Sequence, residues 1–331
     1  MFDAEADPVP APAPAPAPAP AISADLAARL LTEQFPQWAH LPLTLLDPAG
    51  SDHVIFRLGD DKAVRLPRGD WAAGQAVKEH RWLPLLAPGL PLAVPVPLGL
   101  GKPSPELGYP WHWSVARWLE GEVPRTDATD STHATDAAAP SVAPAPSALA
   151  HRLADFLTAL HRLPPADTLL PGPHPDLVGE ALHARDADTR AAIATTADVF
   201  DAATLTAAWD AALDAPPWSG QPRWFHGDFH TGNLLAGPDG RLSAVIDFGG
   251  LGMGDPARDL TIAYTLLGPA GRAAFGTALA TDEATWARGL GWALSTGLNA
   301  YTTYAATHPR VAAQTTRQIT QALAEYRRPA G

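Results

Sequence analysis

Three side chains in the second half of the chain have types and spacing suited to phosphate chemistry. Asp228 and Asn233 lie five residues apart in HGDFHTGN, His226 to Asn233, and Asp247 opens the triplet Asp-Phe-Gly further on. Moving a phosphoryl group needs one carboxylate to orient and deprotonate the attacking hydroxyl, and oxygen ligands that keep magnesium on nucleotide phosphates. An Asp followed five residues later by an Asn can aim a carboxylate at an acceptor and an amide oxygen at the metal from one tight loop. Two short β-type runs, Asn233 to Ala236 and Arg241 to Ile246, are joined by Gly237, Pro238, Asp239 and Gly240, so a hairpin returns Asp247 to that loop. Either fragment alone reads equally well as an ordinary turn. Their order, with one hairpin between them, is what marks a candidate site.

The same loop admits a rival. His226, Asp228 and His230 form an HxDxH cluster, and imidazole with carboxylate is a ligand set for zinc or iron in a metal hydrolase. Such a site would need more imidazoles, and the remaining histidines are scattered through stretches that read as surface or helix. His226 also has a structural use, bonding to backbone around the loop and fixing Asp228, while His230 is expected to face solvent.

These residues need elements to hold them. Behind Ser23, a natural N-cap, Leu26, Leu30, Leu31 and Phe35 recur at helical spacing. The period then shortens. Runs at Leu41 to Leu46, His53 to Leu58 and Ala63 to Leu66 are set apart by turn signals at Pro48, Gly50, Gly59, Asp60 and Asp61. A helical stretch from Asp70 to Leu86 and two further strand candidates, Ala93 to Leu98 and Trp111 to Leu119, complete an α+β lobe of five strands with one interposed helix. Behind a Ser147 cap, Leu149, Leu153, Phe156, Leu157, Leu160 and Leu163 make one apolar stripe, and helices are expected near 181–193, 204–214, 257–266, 283–306 and 310–327.

Composition sets outer bounds. With 331 residues and 46% hydrophobic content, the chain can bury a real core. It has no cysteine, which excludes disulfides and thiol redox chemistry and fits a reducing cytoplasm. Against 35 acidic residues stand 23 Lys and Arg, a net charge of -12 that argues against a nucleic-acid partner. No membrane segment is expected: Leu83 to Gly101 lacks charge but contains Pro84, Pro88, Pro91, Pro95 and Pro97. The acidic start MFDAEADPVPAP does not read as a secretory signal. Residues 1–22 are expected to be a disordered Ala-Pro-rich tail, and 126–146, rich in Thr, Asp, Ala, Pro and Ser, a disordered insertion.

From about residue 25 to 325 the sequence resembles the aminoglycoside phosphotransferase family, relatives of the protein kinases. That family's signature runs HGDxxxxNxL, a hairpin, then IDFGxxGxGDPxxDL, and this chain has that form at His226 to Leu234 and Ile246 to Leu260. The resemblance implies a two-lobed protein-kinase-like fold: a nucleotide-binding lobe at 23–120 with an antiparallel sheet and one helix, and a mainly helical lobe at 121–331 carrying the catalytic loop and acceptor site. ATP and Mg2+ are the implied cofactors. Asp228 resembles the catalytic base, Asn233 and Asp247 the magnesium ligands, and Asp255 and Asp259 acids that brace the loop. Asp259 also opens an apolar helix, where a carboxylate suits the dipole.

In the first lobe the resemblance places Arg65 of KAVRLPR where kinases use a phosphate-binding lysine, with Lys62 at the strand's edge and Glu79 as the helix partner. Glu79 could equally be a solvated helix charge. The exchange is not neutral, because a guanidinium is a planar fork and an ammonium a point charge. One glycine, Gly50, replaces the usual glycine series, and with Ser51 it could offer N–H groups to phosphate. YPWHWSVARWLEGE resembles the family's hinge, which would set the adenine edge against the backbone of Arg117 and Leu119.

The expected acceptor is a small molecule bearing a hydroxyl, with an aminoglycoside or macrolide as the family-level expectation. Asp282 and Glu283, opening a helix that runs through Trp286, Trp292, Asn299, Tyr301 and Tyr304, could line its pocket or simply start the helix. Alternatives are a metabolite kinase for a sugar, amino alcohol or choline-like acceptor, and a silent nucleotide-binding scaffold, for which intact Asp228, Asn233 and Asp247 would serve no purpose. A protein kinase fits less well, since Gly227 replaces the arginine of HRD and no APE-like segment follows DFG.

Overall fold

The computed structural model describes residues 21–46, 50–125 and 146–328. Residues 1–20 of the Ala-Pro stretch, the turn at Pro48 and residues 126–145 lie outside them. The first helix, α1 (Ala24–Gln34), begins where its cap dictates: Ser23 accepts a hydrogen bond from the Leu26 N–H at 3.1 Å, a cap worth about 1 kcal/mol. Strands β1 (Leu43–Leu45), β2 (His53–Leu58) and β3 (Lys62–Pro67) follow, then helix α2 (Gln75–Leu86) and strands β4 (Pro97–Gly101) and β5 (Trp113–Arg117). They form one antiparallel sheet in the order β1-β2-β3-β5-β4.

Register decides which side chains face the site. Ile55 pairs with Arg65, Phe56 with Val64 and Val64 with Val115, so strand alternation sorts the residues into two faces. Val54, Phe56, Leu58, Val64, Leu66, Trp113 and Val115 pack with Leu26, Leu30 and Leu31 of α1 into one core. His53, Ile55, Ala63 and Arg65 take the opposite face. The expected strand from Ala93 to Leu98 is split: Ala93 bonds across to the second lobe, donating to Ser243 O and accepting from Val245 N–H, and β4 starts only at Pro97. Pro95 and Pro97 have no N–H to donate, which prevents a continuous ladder through the run.

The second lobe is mainly helical. Helix α3 (Pro146–Arg162) buries Leu149, Leu153, Phe156, Leu157 and Leu160 as expected, but it is already under way at Pro146, so Ser147 lies within the first turn and is not the cap. Short α4 (Ala166–Leu169), then α5 (Asp186–Thr195) and α6 (Ala202–Asp214), lead to strand β6 (Arg223–Phe225). The expected hairpin is present as β7 (Leu234–Ala236) and β8 (Leu242–Val245). Strand β9 (Gly252–Gly254) pairs back onto β6, and α7 (Ile262–Thr265), α8 (Pro269–Leu279), α9 (Glu283–Tyr304) and α10 (Pro309–Tyr326) complete the chain. The β6–β9 ribbon and α8 are absent from the sequence reading. No described helix is long and apolar enough to cross a membrane.

The lobes share one core. Trp82, Leu83 and Leu86 of α2 belong to the same buried cluster as α3, β6 and the helices beyond, and the Trp82 ring sits 5.2 Å from Trp224. Glu122, on the connection between lobes, exchanges backbone bonds with Ala236 at the end of β7. The first lobe's helix is therefore anchored in the second lobe, close to the hairpin that carries the motifs.

One half-buried imidazole beside this core makes the fold sensitive to acid. His161 of α3 has an Nε2 with no hydrogen-bond partner, and burial, helped by Arg223, lowers its pKa from 6.5 to about 4. The unfolded chain binds a proton there below about pH 6.5, whereas the folded chain resists until about pH 4, so this contribution is complete above pH 6.5 and lost as pH falls. The melting temperature should drop as pH is lowered through that window. His161→Leu should flatten the dependence, measured by thermal denaturation at a series of pH values.

Candidate active site

Strand β6 delivers the chain into the loop at His226, and its pairing partner β9 carries the chain away from Asp-Phe-Gly, so both segments emerge side by side. Their approach is very close: a Cβ on Gly227 would sit 2.0 Å from the Gly250 carbonyl oxygen, and Gly227 has φ +87°. Only glycine fits there, which explains why this loop has Gly227 where protein kinases have arginine. Asp259, fully buried, accepts the N–H groups of His226 (2.7 Å) and Gly227 (2.8 Å), and Arg258 Nε donates to Gly227 O (3.2 Å). Burial pushes the Asp259 carboxyl up, opposed by His226 and these two donors. Asp255 is held by two guanidinium nitrogens of Arg288, at 2.7 and 3.1 Å, and caps the following turn through Ala257 N–H. Asp259 thus holds the loop backbone, whereas Asp255 ties the turn after β9 to α9.

His226 has no free nitrogen for a metal. Its Nδ1 accepts the Asp228 N–H at 3.2 Å, so the ring proton lies on Nε2 and is donated to Ile246 O at 3.0 Å. The buried ring packs against Phe248 and Phe229, with centroids 4.5 and 5.6 Å away. The HxDxH cluster therefore does not converge as a ligand set, and His226 joins the catalytic loop to the strand preceding Asp247.

Asp228 projects its carboxylate into the open, with the side chain 58% exposed. Asn233 Nδ2 donates to both Asp228 Oδ2 (3.0 Å) and Asp228 O (2.9 Å). Because both neighbours can only accept, the amide orientation is settled, and the Asn233 oxygen is turned away from Asp228. Asp247 stands opposite with φ +62°, a left-handed backbone uncommon outside glycine and typical of positions held for function. One of its oxygens is engaged by Arg65, and the carboxylate remains partly exposed. An amide oxygen and a free carboxylate oxygen are hard donors, so Asn233 and Asp247 fit a magnesium ion. Loss of part of its hydration works weakly against ionisation of this exposed carboxylate, and the adjacent His230, with His226 and Asn233, outweighs it and holds the Asp228 carboxyl below the usual carboxylate range.

Arg65 reaches across the cleft. One guanidinium nitrogen pairs with Glu79 of α2, and the other lies 2.9 Å from Asp247 Oδ1. Both Arg65 and Glu79 are buried, so the reading of Glu79 as a solvated charge gives way to an ion pair. Lys62 bonds instead to its exposed neighbour Asp61. His53, missed in the sequence, lies on the same sheet face; burial, with Arg65 beside it, lowers its pKa to about 3 and keeps it neutral. The alternation of HVIFRL against KAVRLP was the signal that could have found it. Gly50 and Ser51 lie at the approach to β2. Ser51 Oγ donates to Asp52, which is tied to Gln75 of α2. Of the hinge positions, Arg117 N–H is taken by Val96 O and Trp118 N–H by Asp61 O, whereas no backbone bond involves Leu119 among the described residues.

Asp282 and Glu283 are not brought to the cleft. Asp282 caps α9 by accepting the Thr285 N–H, and Glu283 is exposed in the first turn. Helices α9 and α10 run antiparallel, with Gln318 bonded to Ala293 O and Thr296, and with Trp286 facing a cavity shared with Glu325 and Arg328. The catalytic loop meets α10 near its other end, at Gln314. At about 1.5 Å per residue, Asp282 and Glu283 lie on the order of 15 Å or more from it. Sequence alone could not say which part of α9 meets the loop's supports; Arg288, which holds Asp255, and Trp292, under the Arg258 guanidinium at 4.6 Å, do.

A small sheet whose Arg65–Glu79 pair reaches Asp247 of a helical lobe, with a braced Asp-Asn loop nearby, defines a kinase-like phosphotransferase. Residues 44–292 match the model of the Phosphotransferase enzyme family, and the chain belongs to that family. No curated protein matches it. Among solved structures it resembles the GDP and kanamycin complex of APH(2")-IIia, at 17% identity and TM-score 0.67, covering 90% of this chain and 98% of that one. It also resembles ADP-bound aminoglycoside phosphotransferase APH(2'')-Ib, at 16% identity, TM-score 0.55 and coverage of 91% and 98%. A third is macrolide 2'-phosphotransferase MphH from Brachybacterium faecium, at 22% identity, TM-score 0.56 and coverage of 93% and 98%. At these identities the likeness establishes a shared fold.

The close approach at Gly227 predicts that Gly227→Ala forces the loop apart, lowering stability by about 1–3 kcal/mol and removing most activity. Gly237→Ala in the hairpin, where a Cβ meets nothing nearer than 3.4 Å, should be tolerated. Melting temperatures and turnover of the two variants check the contrast.

Proposed function

We propose that this protein transfers the γ-phosphoryl group of ATP to a hydroxyl of a small molecule, with an aminoglycoside- or macrolide-like compound as acceptor. The observation that carries this reading is the convergence of Asp228, Asn233, Asp247 and the Arg65–Glu79 pair on one cleft. Arg65 binds nucleotide phosphate from the sheet side, near Gly50 and Ser51, and the hinge at Leu119 offers backbone to the base. Asn233 and Asp247 hold magnesium, which neutralises charge on the phosphates. Asp228 receives the acceptor hydroxyl as a hydrogen-bond donor. As the new O–P bond forms and the bond to the ADP oxygen breaks, the hydroxyl proton passes to Asp228. A carboxylate is ionised at neutral pH and is a weak base, so it takes the proton late, which suits a loose transition state in which the leaving group departs first.

The acids expected for a polycationic acceptor are not supplied by Asp282 and Glu283.

Asp228→Asn should abolish transfer while leaving ATP binding nearly intact, and near-normal turnover would refute the assignment of the base. Asp247→Ala should weaken magnesium-nucleotide affinity, read by titration calorimetry. Wild-type protein should consume MgATP with at least one member of a panel of aminoglycosides, macrolides and hydroxylated metabolites. Consumption with the metabolites alone would move the acceptor out of the antibiotic classes.

A further inference from the structure

His230, expected to face solvent, has polar partners on both sides of its ring. Nδ1 lies 3.0 Å from the Gly232 N–H and 2.8 Å from Gln314 Nε2 of α10, and Nε2 lies 3.4 Å from Asp228 Oδ2. A backbone N–H can only donate, so Nδ1 carries the lone pair and the ring proton sits on Nε2. This also settles Gln314, which must turn its NH2 group towards the ring.

The Nε2–H then points at Asp228 Oδ2, the oxygen that Asn233 Nδ2 already engages. Two donors on one carboxylate oxygen leave Oδ1 as the free acceptor. We propose that His230, with its tautomer set by Gln314, is a positioning residue that holds Asp228 with Oδ1 presented to the acceptor hydroxyl. This rests on the phosphotransfer reading, since it assigns a use to the orientation of the base. The 3.4 Å separation is long for a hydrogen bond, as such contacts often are before substrate tightens them.

Gln314 gives the arrangement its reach. It is 84 residues from His230 in sequence, on the helix whose Gln318 is bonded to Ala293 and Thr296 of α9. The helices beside the acceptor side of the cleft thus contact the ring that orients the base. A tight turn needs only the Gly232 bond to cap it, so the bond to Gln314 and the aim of Nε2 at Asp228 are additional to local structure.

The slow transfer from MgATP to water, followed as ADP release without any acceptor, tests this in the full chain. His230→Leu should lower its kcat about tenfold or more while leaving the KM for MgATP within about twofold. His230→Gln can place an N–H where Nε2 was and should recover most of that loss. Gln314→Leu should lower kcat in the same sense by about threefold, again with little change in KM. Long-range proton–nitrogen spectra of the histidine-labelled protein should show an Nε2–H tautomer for the resonance that His230→Gln removes. A kcat for His230→Leu within about twofold of wild type would overturn the proposal. So would an Nδ1–H tautomer, or equal losses in the Leu and Gln variants tracking a lowered melting temperature. If His230→Leu does not fold, Gln314→Leu and the tautomer decide. Failure of the underlying reading is separate, because it would appear as Asp228→Asn releasing ADP at the wild-type rate.

Discussion

The buried guanidinium of Arg65 is the interaction on which the two halves of the site depend. It joins three elements that are distant in sequence: β3, which carries it, α2 through Glu79, and the turn after β8 through Asp247. Removing charges from water is costly, and a buried pair persists only where geometry satisfies both partners. Burial opposes the Arg65 charge, and the two carboxylates more than restore it. A planar fork can offer one nitrogen to each carboxylate, whereas an ammonium on a flexible stem would have to divide one point charge between them. Loss of either partner would strand the other, at about 3–5 kcal/mol by the usual behaviour of buried pairs. Arginine in place of lysine is thus suited to latching the lobes as well as to meeting phosphate.

The other half of the site is held by acids that do not react. Asp259 accepts two successive N–H groups of the catalytic loop, and Arg258, its sequence neighbour, donates to the carbonyl of Gly227. Arg288 of α9 clamps Asp255. The loop backbone is therefore fixed from the helical side, the Asp247 turn from the sheet side, and the two meet where Gly227 and Gly250 touch. With φ +62°, Asp247 adopts a backbone that costs about 1–3 kcal/mol, and Arg65 on one side with the packing of Phe248 on the other keeps it there.

Much of this was legible in the sequence, for physical reasons that can be named. Ser23 and the leucines of α1, the alternation of β2, the stripe of α3 and the hairpin around Gly237 are local signals, and the structure has each element in place. The Asp228, Asn233 and Asp247 constellation was legible because hairpin chemistry alone brings the Asp-Phe-Gly turn back to the loop. What escaped was either too short or too distant. β6 and β9 are three residues each and β9 is Gly-Met-Gly, so no period exists to detect. Helix α8 begins at Pro269 and contains Gly271 and Gly276, which read as turn residues until its packing against α3 overrides propensity. The placement of Asp282 and Glu283 failed because strand-like or helix-like patterning says nothing about which end of a helix meets the site.

The contrast between the two histidines of the loop shows the same division more sharply. The backbone bonds of His226 could be read from its place in the loop, because its partners, Asp228 N–H and Ile246 O, belong to the motif and its hairpin. His230 could not, because the group that settles its proton comes from α10. Yet both rings obey one rule: a backbone N–H claims Nδ1, and the remaining Nε2–H is aimed at the strand before Asp247 in one case and at Asp228 in the other. Imidazoles with assigned tautomers thus place directed donors around Asp228 and the strand before Asp247.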